Sequence, residues 1–442
     1  MPIEDDIAWL GGWEGYRVCG VERVDGVEPE IWISLEAVSG TRPVCDGCGG
    51  FAPALHEVTI RRVRDLPILD ASTWLEVPRR RVLCPRCGPK LERLSWLGRY
   101  SRVTRRLAES VARLCRHLSL KRVAEFFGLH WNTVKAIDKR YLTDKLGAVD
   151  LTGVRVIAMD EFAIQKGHRY ATVIVDPTVK RVLWVGRGRG RKDIRPFFEL
   201  LGNRGRRRIE AVVMDMNGAY EAEVRHQCPN AEIVFDLFHV VAKYGREVID
   251  RVRIDEVSRL QHDKAARKVV KSARWLLLRN RDTIKTDRDR VRLDELLAAN
   301  QALMTIYVLR DDLKELWRLR DTEAACAAWN AWFSRAMESG LKPLIAFARR
   351  LAPYLHGILA HAKWPLHTSL LEGINNKIKV IKRVAYGFRD DEYFFLKIRT
   401  EQRRFGNFGL IGLQRPSLDS KRPANKDPLR TSPAFHQANP DE

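Results

Sequence analysis

The sequence predicts a multidomain protein of the α+β class. Two C-x-x-C pairs lie among strand-like segments near its start, hydrophobic strands that end in aspartate occupy its middle, and helical patterns fill most of the rest. A length of 442 residues suggests about three domains with ample core. The net charge of +22 predicts a polyanionic partner, with nucleic acid as the default and a generally basic protein as the alternative.

The chain contains no apolar run of 18 residues, so we expect no membrane span. It begins MPIEDDIAWL, which is acidic where an export signal is basic, and we therefore expect a cytoplasmic protein. Eight cysteines are present, and four of them form the two C-x-x-C pairs. In a cytosolic protein this pattern indicates metal ligands rather than disulfides.

The first domain is predicted to be a zinc-binding β module over residues 1–98. Its proposed ligands are Cys45, Cys48, Cys84 and Cys87. Four thiolates suit one tetrahedral, structural Zn²⁺ ion. The 35 residues between the pairs contain the strand-like segments EVTIRRVRDLPI and TWLEVPRRRVL. Two redox-active or unliganded cysteine pairs are the alternative.

Residues 99–150 predict a helix-turn-helix DNA-binding unit. One helix starts near Thr104, a short helix follows from Ser119, Gly128 lies in a turn, and another helix spans residues 131–142. We expect this last helix to enter the major groove of DNA. The residues nearest the bases would be His130, Asn132, Thr133 and Lys135. A plain helical hairpin is the alternative.

Residues 151–248 predict the first part of an α/β core. The strand VRVIAMDEFAI is predicted to end in Asp160, and IEAVVMDMNGAY places Asp215 at a strand end. A third strand, AEIVFDLFHVV, has Asp236 and His239 at its end. A single aspartate in such a position is usually a turn or cap residue. Three of them favour a site at the strand ends of one sheet.

Residues 249–365 predict an all-helical insertion, in which Trp275, Trp317, Trp329 and Trp332 are expected to be core residues. Residues 366–408 are predicted to return to the core. The composition of residues 409–442 predicts a disordered tail.

A helix is predicted from Ser369 to Gly387. Its apolar stripe consists of Leu371, Ile374, Ile378, Ile381 and Ala385. Its opposite side carries Glu372, Asn376, Lys379 and Arg383. Glu372 also stands three residues after Ser369, the spacing of a capping box, so a purely structural role is the alternative. The other interpretation is a metal site. Three carboxylates on separate elements can bind two divalent cations for phosphoryl transfer, and the candidates are Asp160, Asp215 and Glu372.

These pieces together resemble a DDE transposase with a ribonuclease-H-like core, and more specifically the bacterial insertion-sequence transposases of the ISL-three family. The resemblance covers residues 1–408. It is carried by the paired C-x-x-C finger, the helix-turn-helix and the segments MDEFAI, VVMDMNGAY, FDLFHV and LLEGINNKIKVIKRVAYGFRD. Ser369 and Leu370 depart from the Asn-Gly that many members carry before the glutamate.

The resemblance implies that Asp160, Asp215 and Glu372 are catalytic and bind two Mg²⁺ ions, for which Mn²⁺ can substitute. It implies that Asp236 and His239 position a strand or support these ligands. Such enzymes bind the terminal inverted repeats of their own element, cut at its ends and join the 3′-hydroxyls to target DNA.

We expect Asn376, Lys379 and Arg383 to contact DNA, and the resemblance implies a homodimer or higher oligomer at the bacterial nucleoid. Two alternatives stay open. One is a catalytically silent DNA-binding regulator derived from a transposase, and the other is a nuclease of the same fold that does not join strands.

Overall fold

The computed structural model describes residues 11–165, 167, 169–366 and 369–402, without the side chains of residues 369, 401 and 402. The predicted disordered tail, residues 409–442, lies outside this described part. None of the helices in the described part has the length and apolar character needed to cross a membrane.

The N-terminal module is a five-stranded sheet. Its strands are β1 (Tyr16–Val24), β2 (Glu30–Ala37), β3 (Ala54–Arg64), β4 (Ser72–Cys84) and β5 (Gly88–Leu91). The sheet has the order β1-β2-β4-β3, with β5 also paired to β4. Residues of β4 alternate between the two faces, so that Leu75 and Val77 enter a core with Trp13 and Ile33. The two predicted strand segments between the cysteine pairs correspond to β3 and β4.

Three helices follow, namely α1 (Arg105–Leu114), α2 (Leu120–Phe127) and α3 (Trp131–Leu146). The Ser119 hydroxyl caps α2 by accepting a hydrogen bond from the Arg122 N–H. Gly128 ends α2 with a φ of 59°, in the left-handed region that glycine adopts without steric cost. The third helix runs to Leu146 rather than the predicted residue 142, because Leu146 is still buried and the stop comes at Gly147.

The central sheet contains β6 (Val156–Gln165), β7 (Arg169–Asp176), β8 (Arg181–Arg187), β9 (Ala211–Met214) and β10 (Glu232–Phe235). Its order is β10-β9-β6-β7-β8. β6, β7 and β8 form an antiparallel meander, whereas β9 and β10 run parallel to β6. Helices α4 (Arg191–Arg208) and α5 (Gly218–Gln227) pack on one face of this sheet.

A helical array follows the last strand. Its helices are α6 (Leu237–Tyr244), α7 (Asp250–Arg259), α8 (Lys264–Ser272), α9 (Arg274–Leu278), α10 (Asp287–Ala299), α11 (Gln301–Glu315), α12 (Thr322–Glu338), α13 (Lys342–Leu351) and α14 (Leu355–Lys363). A π-helical turn at Gly245–Ile249 joins α6 to α7, so helix continues across the predicted boundary at residues 248–249. Trp317, Trp329 and Trp332 are core residues, as predicted.

Trp275 is 65% exposed, so its prediction as a core residue is wrong. On the short helix α9 the adjacent residues Leu276 and Leu277 are buried. Because successive helical residues are about 100° apart, the Trp275 ring turns outward. It lies under the Arg274 guanidinium, 4.9 Å from the ring centroid.

Two final helices, α15 (Ser369–Val384) and α16 (Asp391–Gln402), pack on the second face of the central sheet. Leu371, Ile374 and Ile378 of α15 are buried there, in agreement with the predicted stripe. The sheet is therefore covered by helices on both faces. This architecture confirms the multidomain α+β prediction.

Candidate active site

The register of the central sheet brings three aspartates to one level. Ala158 of β6 pairs with Val213 of β9, and Met214 pairs with Phe235 of β10. Continued by one or two residues, this register places Asp160, Asp215 and Asp236 side by side.

Asp160 does not end its strand, contrary to the sequence prediction, because β6 continues to Gln165 on its pairing with β7. What ends near Asp160 is β9, its other neighbour, and the next strand β10 ends one residue before Asp236. The ends of β9 and β10 therefore lie at the level of the three aspartates, beside the middle of β6.

His239 lies among these carboxylates. Asp236 caps α6 by accepting a hydrogen bond of 2.8 Å from the Phe238 N–H, which starts the helix that carries His239. The His239 Nδ1 atom is 3.4 Å from Asp215 Oδ2, and Nε2 is 3.9 Å from Asp160 Oδ1 and 3.7 Å from Asp236 Oδ2. The imidazole therefore lies within 3.9 Å of all three carboxylates.

Of the two predicted aspartate ligands, Asp160 is the more buried. It is 7% exposed, and it accepts hydrogen bonds from the Glu161 N–H at 2.8 Å and the Asn375 Nδ2 amide at 2.7 Å. Burial raises its pKa to about 6, although the neighbouring His239 and the Glu161 N–H act in the opposite direction. A bound cation would relieve the cost of keeping this carboxylate charged.

Asn375 is a site residue that the sequence reasoning missed. It lies one turn after Glu372 on α15, whereas the helical pattern of the sequence predicts Asn376 on the side of Glu372. Its Oδ1 atom is buried and makes no hydrogen bond within the described part of the chain. Amide and carboxylate oxygens are the ligands that Mg²⁺ prefers, so the donors present suit such an ion. Asn375 follows Glu372 by three residues, and residues at this spacing are neighbours on a helix surface, so the sequence alone could have indicated Asn375 as a site residue.

Glu372 is exposed on α15, about 4.5 Å along the helix axis from Asn375. The ligand atoms of Glu372, Asp160 and Asp215 do not all lie within 4.8 Å of one another. Among the described residues, one group of three or more His, Cys, Asp or Glu side chains has all its ligand atoms within 4.8 Å of one another. That group consists of four cysteines of the N-terminal module. The metal-binding role of Glu372 stays a prediction.

The cysteine cluster consists of Cys45, Cys48, Cys84 and Cys87, with the Sγ atoms of Cys48 and Cys84 3.6 Å apart. Gly47 allows the two knuckles to approach closely, because a Cβ at this position would lie 3.2 Å from Cys87 Sγ in the second knuckle. Four converging thiols match the ligand set of a structural zinc ion.

The predicted base-contacting residues of α3 are divided between two surfaces. His130 is the N-cap, and its Nδ1 atom accepts a hydrogen bond from the Asn132 N–H. Asn132 and Thr133 are exposed. Lys135, in contrast, forms an ion pair of 2.8 Å with Asp390, just before α16. Lys379 and Arg383 are exposed on α15, and their predicted contact with DNA stays a prediction.

A buried polar network fixes α3 against the core. Asp138 accepts a hydrogen bond from the Tyr393 hydroxyl and forms an ion pair with Lys397, and both partners belong to α16. Lys397 Nζ also donates to the Cys115 carbonyl at 2.9 Å. The helix-turn-helix is therefore held to α16, which packs on the central sheet through Phe394 and Ile398.

Three family models match this chain. A model described as transposase matches residues 157–398, which is more than half of the chain. A helix-turn-helix domain of transposase family ISL3 matches residues 92–142, and a zinc-finger of transposase IS204/IS1001/IS1096/IS1165 matches residues 41–87, where all four clustered cysteines lie.

Two similar proteins span almost the same length. The transposase for insertion sequence element IS1001 of Bordetella parapertussis is 55% identical over 394 residues, which are 88% of this chain and 96% of that protein. The transposase for insertion sequence element IS1557 of Mycobacterium tuberculosis (strain CDC 1551 / Oshkosh) is 27% identical over 403 residues, 84% of this chain and 90% of that protein. This chain therefore belongs to the ISL3 family of insertion-sequence transposases, as a DDE enzyme with a zinc finger and a DNA-binding helix-turn-helix.

Proposed function

We propose that this transposase binds the terminal inverted repeats of its own insertion sequence, cleaves the DNA at the ends and joins the freed 3′-hydroxyls to target DNA. The observation that carries the proposal is the common level of Asp160 and Asp215 on adjacent parallel strands, with His239 against both. Membership in the transposase family supports the same reaction class.

Asp160, Asp215 and Glu372 are the residues we propose to hold two Mg²⁺ ions, for which Mn²⁺ can substitute. When bound, such ions activate an attacking oxygen and stabilise a leaving oxygen in phosphoryl transfer. The protein's own part is to fix the ligands. Asn375 orients the Asp160 carboxylate, and Asp236 caps α6 and so holds His239 beside Asp215.

DNA binding is proposed to divide between sequence reading and positioning. Asn132 and Thr133 are exposed at the start of α3, which supports their proposed contact with base edges in the major groove. Lys379 and Arg383 are exposed along α15, which supports their proposed contact with DNA phosphates. Because an element has two ends and each chain carries one carboxylate site, we propose that at least two chains act together on DNA.

The test is an end-joining assay run beside a gel-shift assay, with labelled terminal repeats and Mg²⁺. We expect Asp160→Asn, Asp215→Asn and Glu372→Gln each to lower cleavage and joining by about a thousandfold or more, because each removes an anionic ligand and keeps the side chain's shape. End binding should stay within about twofold of wild type. Glu338→Gln, at an exposed carboxylate of α12, is the matched control.

The alternatives give different results in the same assay. Wild-type protein that binds the ends but never cuts them would be a silent regulator. Cutting without joining would make it a nuclease. Normal joining by any one of the three site variants would remove that residue from the assignment.

A further inference from the structure

A cleft of about 800 Å³ lies between the helix-turn-helix and the C-terminal half of α15. One wall is formed by the start of α2 together with Trp131 of α3, and the other by residues from Lys377 to Lys397. Asp160, Asp215 and Glu372 are not among its lining residues. The cleft is therefore separate from the carboxylate site, although α15 contributes to both.

The cleft has more cationic than anionic side chains along its walls, although Lys121, Arg122, Lys135 and Lys397 already contact carboxylates. Its lining includes seven Lys or Arg side chains and two acidic ones. Arg116 and Arg389 are among the seven, and neither forms an ion pair with another residue of the described part of the chain. This charge balance favours an anionic occupant. The volume is in the range of sites that hold one small ligand, roughly 300–1,000 Å³, which matches one or two nucleotides rather than a duplex.

Two exposed aromatic side chains line the same cleft. Trp131 is 49% exposed and Tyr386 is 92% exposed. Tyr386 follows α15 with a φ of 54°, a left-handed conformation that is unfavourable for a residue with a Cβ. Its ring gains almost no burial within the chain to offset that cost. Flat rings beside cations are the usual surface for unpaired bases, which stack on the rings while the cations bind phosphates.

The cleft also lies on a direct path from the carboxylate site. Asn375 contacts Asp160 near the start of α15, and Tyr386 follows the end of this helix. Eleven residues of helix span about 16 Å. Lys379 and Arg383 are exposed between these two points, so a single strand a few nucleotides long can reach from one site to the other.

We propose that this cleft binds one or two unpaired nucleotides of the DNA end, with a base stacked on Trp131 or Tyr386 and phosphates near Arg116 and Arg389. The inference rests on the proposed end-binding function and specifies the form of DNA that the enzyme holds. The C-terminal segment 403–442 is a poorer occupant, because it contains seven Lys or Arg and four Asp or Glu residues and is itself basic.

The test uses the full-length protein and two sets of terminal-repeat duplexes, one fully paired and one with two unpaired nucleotides beside the cleavage position. A 2-aminopurine base in the unpaired segment reports stacking by fluorescence quenching, and anisotropy gives both affinities. We expect wild-type protein to quench the probe and to bind the unpaired substrate about tenfold more tightly than the paired one.

Tyr386→Asn is the informative variant, because asparagine tolerates the left-handed conformation while it removes the ring. We expect it to fold normally, to bind paired ends as wild type does, and to lose about tenfold of the preference for unpaired ends. Trp131→Ala should lose preference and quenching, whereas Trp131→Phe should retain part of both. Trp275→Ala, at an exposed tryptophan of the helical array, is the matched control and should change neither.

Three results would overturn the proposal. Equal affinity for both substrates with no quenching, while paired ends still bind, would reject the cleft and leave the proposed function intact. A preference that appears only after deletion of residues 403–442 would make that segment the occupant of the cleft. Failure to bind any terminal repeat would reject the proposed function as well.

Discussion

The cysteine cluster and the carboxylate site differ in how completely the chain alone assembles them. The four thiols lie within 4.8 Å of one another, on two tight knuckles connected by a β-hairpin. In the carboxylate site, Asp160 and Asp215 both lie beside His239, but Glu372 is exposed on a separate helix.

The difference follows from how each site is built. Each cysteine knuckle is fixed by local chain geometry, and a closed set of four sulfur ligands leaves no position for a substrate. The carboxylates come from two adjacent strands and from a helix more than 150 residues later in the chain. An open site of this kind can be completed by cations and DNA, as a reaction on DNA requires.

The largest expected effect is a loss of zinc and of folding at the cysteine cluster. Cys48→Ser should lower the zinc content from about one ion per chain to near zero and unfold the module around it, since structural zinc contributes on the order of 10 kcal/mol to such folds. Elemental analysis and limited proteolysis measure the two effects. The cut sites should fall between residues 41 and 98, with the central sheet intact.

The control for this prediction is Cys19→Ser, at an exposed cysteine outside the cluster. It should retain full zinc content and normal protease resistance. If Cys48→Ser retained all of its zinc, the assignment of four thiolate ligands would be wrong.

The next effect is on stability, at the buried ion pair that joins α3 to α16. Asp138 is 0% exposed, and Asp138→Ala would leave the Lys397 ammonium buried without its carboxylate. We expect a loss of about 3–5 kcal/mol in the free energy of unfolding, measured by denaturant titration. Asp144→Ala, at an exposed carboxylate of the same helix, should cost less than about 0.5 kcal/mol. Equal effects of the two variants would show that the buried network does not hold α3 to the core.

A smaller effect is expected within the carboxylate site. Asn375→Ala removes the amide that orients Asp160, and loss of such a supporting contact typically costs about 10–100-fold. We expect the joining rate at saturating DNA to fall by that factor while the affinity for DNA stays unchanged. Asn376→Ala, at the adjacent exposed residue, should change the rate by less than about twofold. The opposite ranking of the two asparagines would contradict the geometry described for α15.

The smallest effect is electrostatic. Lys379→Ala should weaken binding to terminal-repeat and scrambled duplexes alike, and it should reduce the slope of log affinity against log salt by about one charge. Binding titrations at several salt concentrations measure this slope. An unchanged slope on both duplexes would mean that this side of α15 does not touch DNA.

Much of the architecture was predictable, because it depends on local patterns. The cysteine spacing, the glycine turn after α2 and the apolar stripe of α15 all act over a few residues, and each corresponds to the observed element. The aspartates were also recognisable, because hydrophobic strands run directly into them.

The rest depends on long-range pairing that one sequence does not show. Asp160 lies within β6 because the strand keeps its β7 partner after β9 has ended. Asn375 rather than Asn376 contacts Asp160 because of how α15 is rotated against the sheet. Lys135 pairs with Asp390, which is more than 250 residues away in the chain.

We propose that Asp160, Asp215 and Glu372 bind the same divalent cations when the end of the element is bound. Iron-mediated cleavage tests this most directly, since Fe²⁺ in place of Mg²⁺, with added hydrogen peroxide as oxidant and ascorbate as reductant, generates radicals that cut the backbone beside the metal. With terminal-repeat DNA present, we expect fragments ending near residues 160, 215 and 372, all suppressed by excess Mg²⁺ and all absent in Asp160→Asn. Cleavage near residues 160 and 215 but never near 372 would contradict the account and remove Glu372 from the metal site.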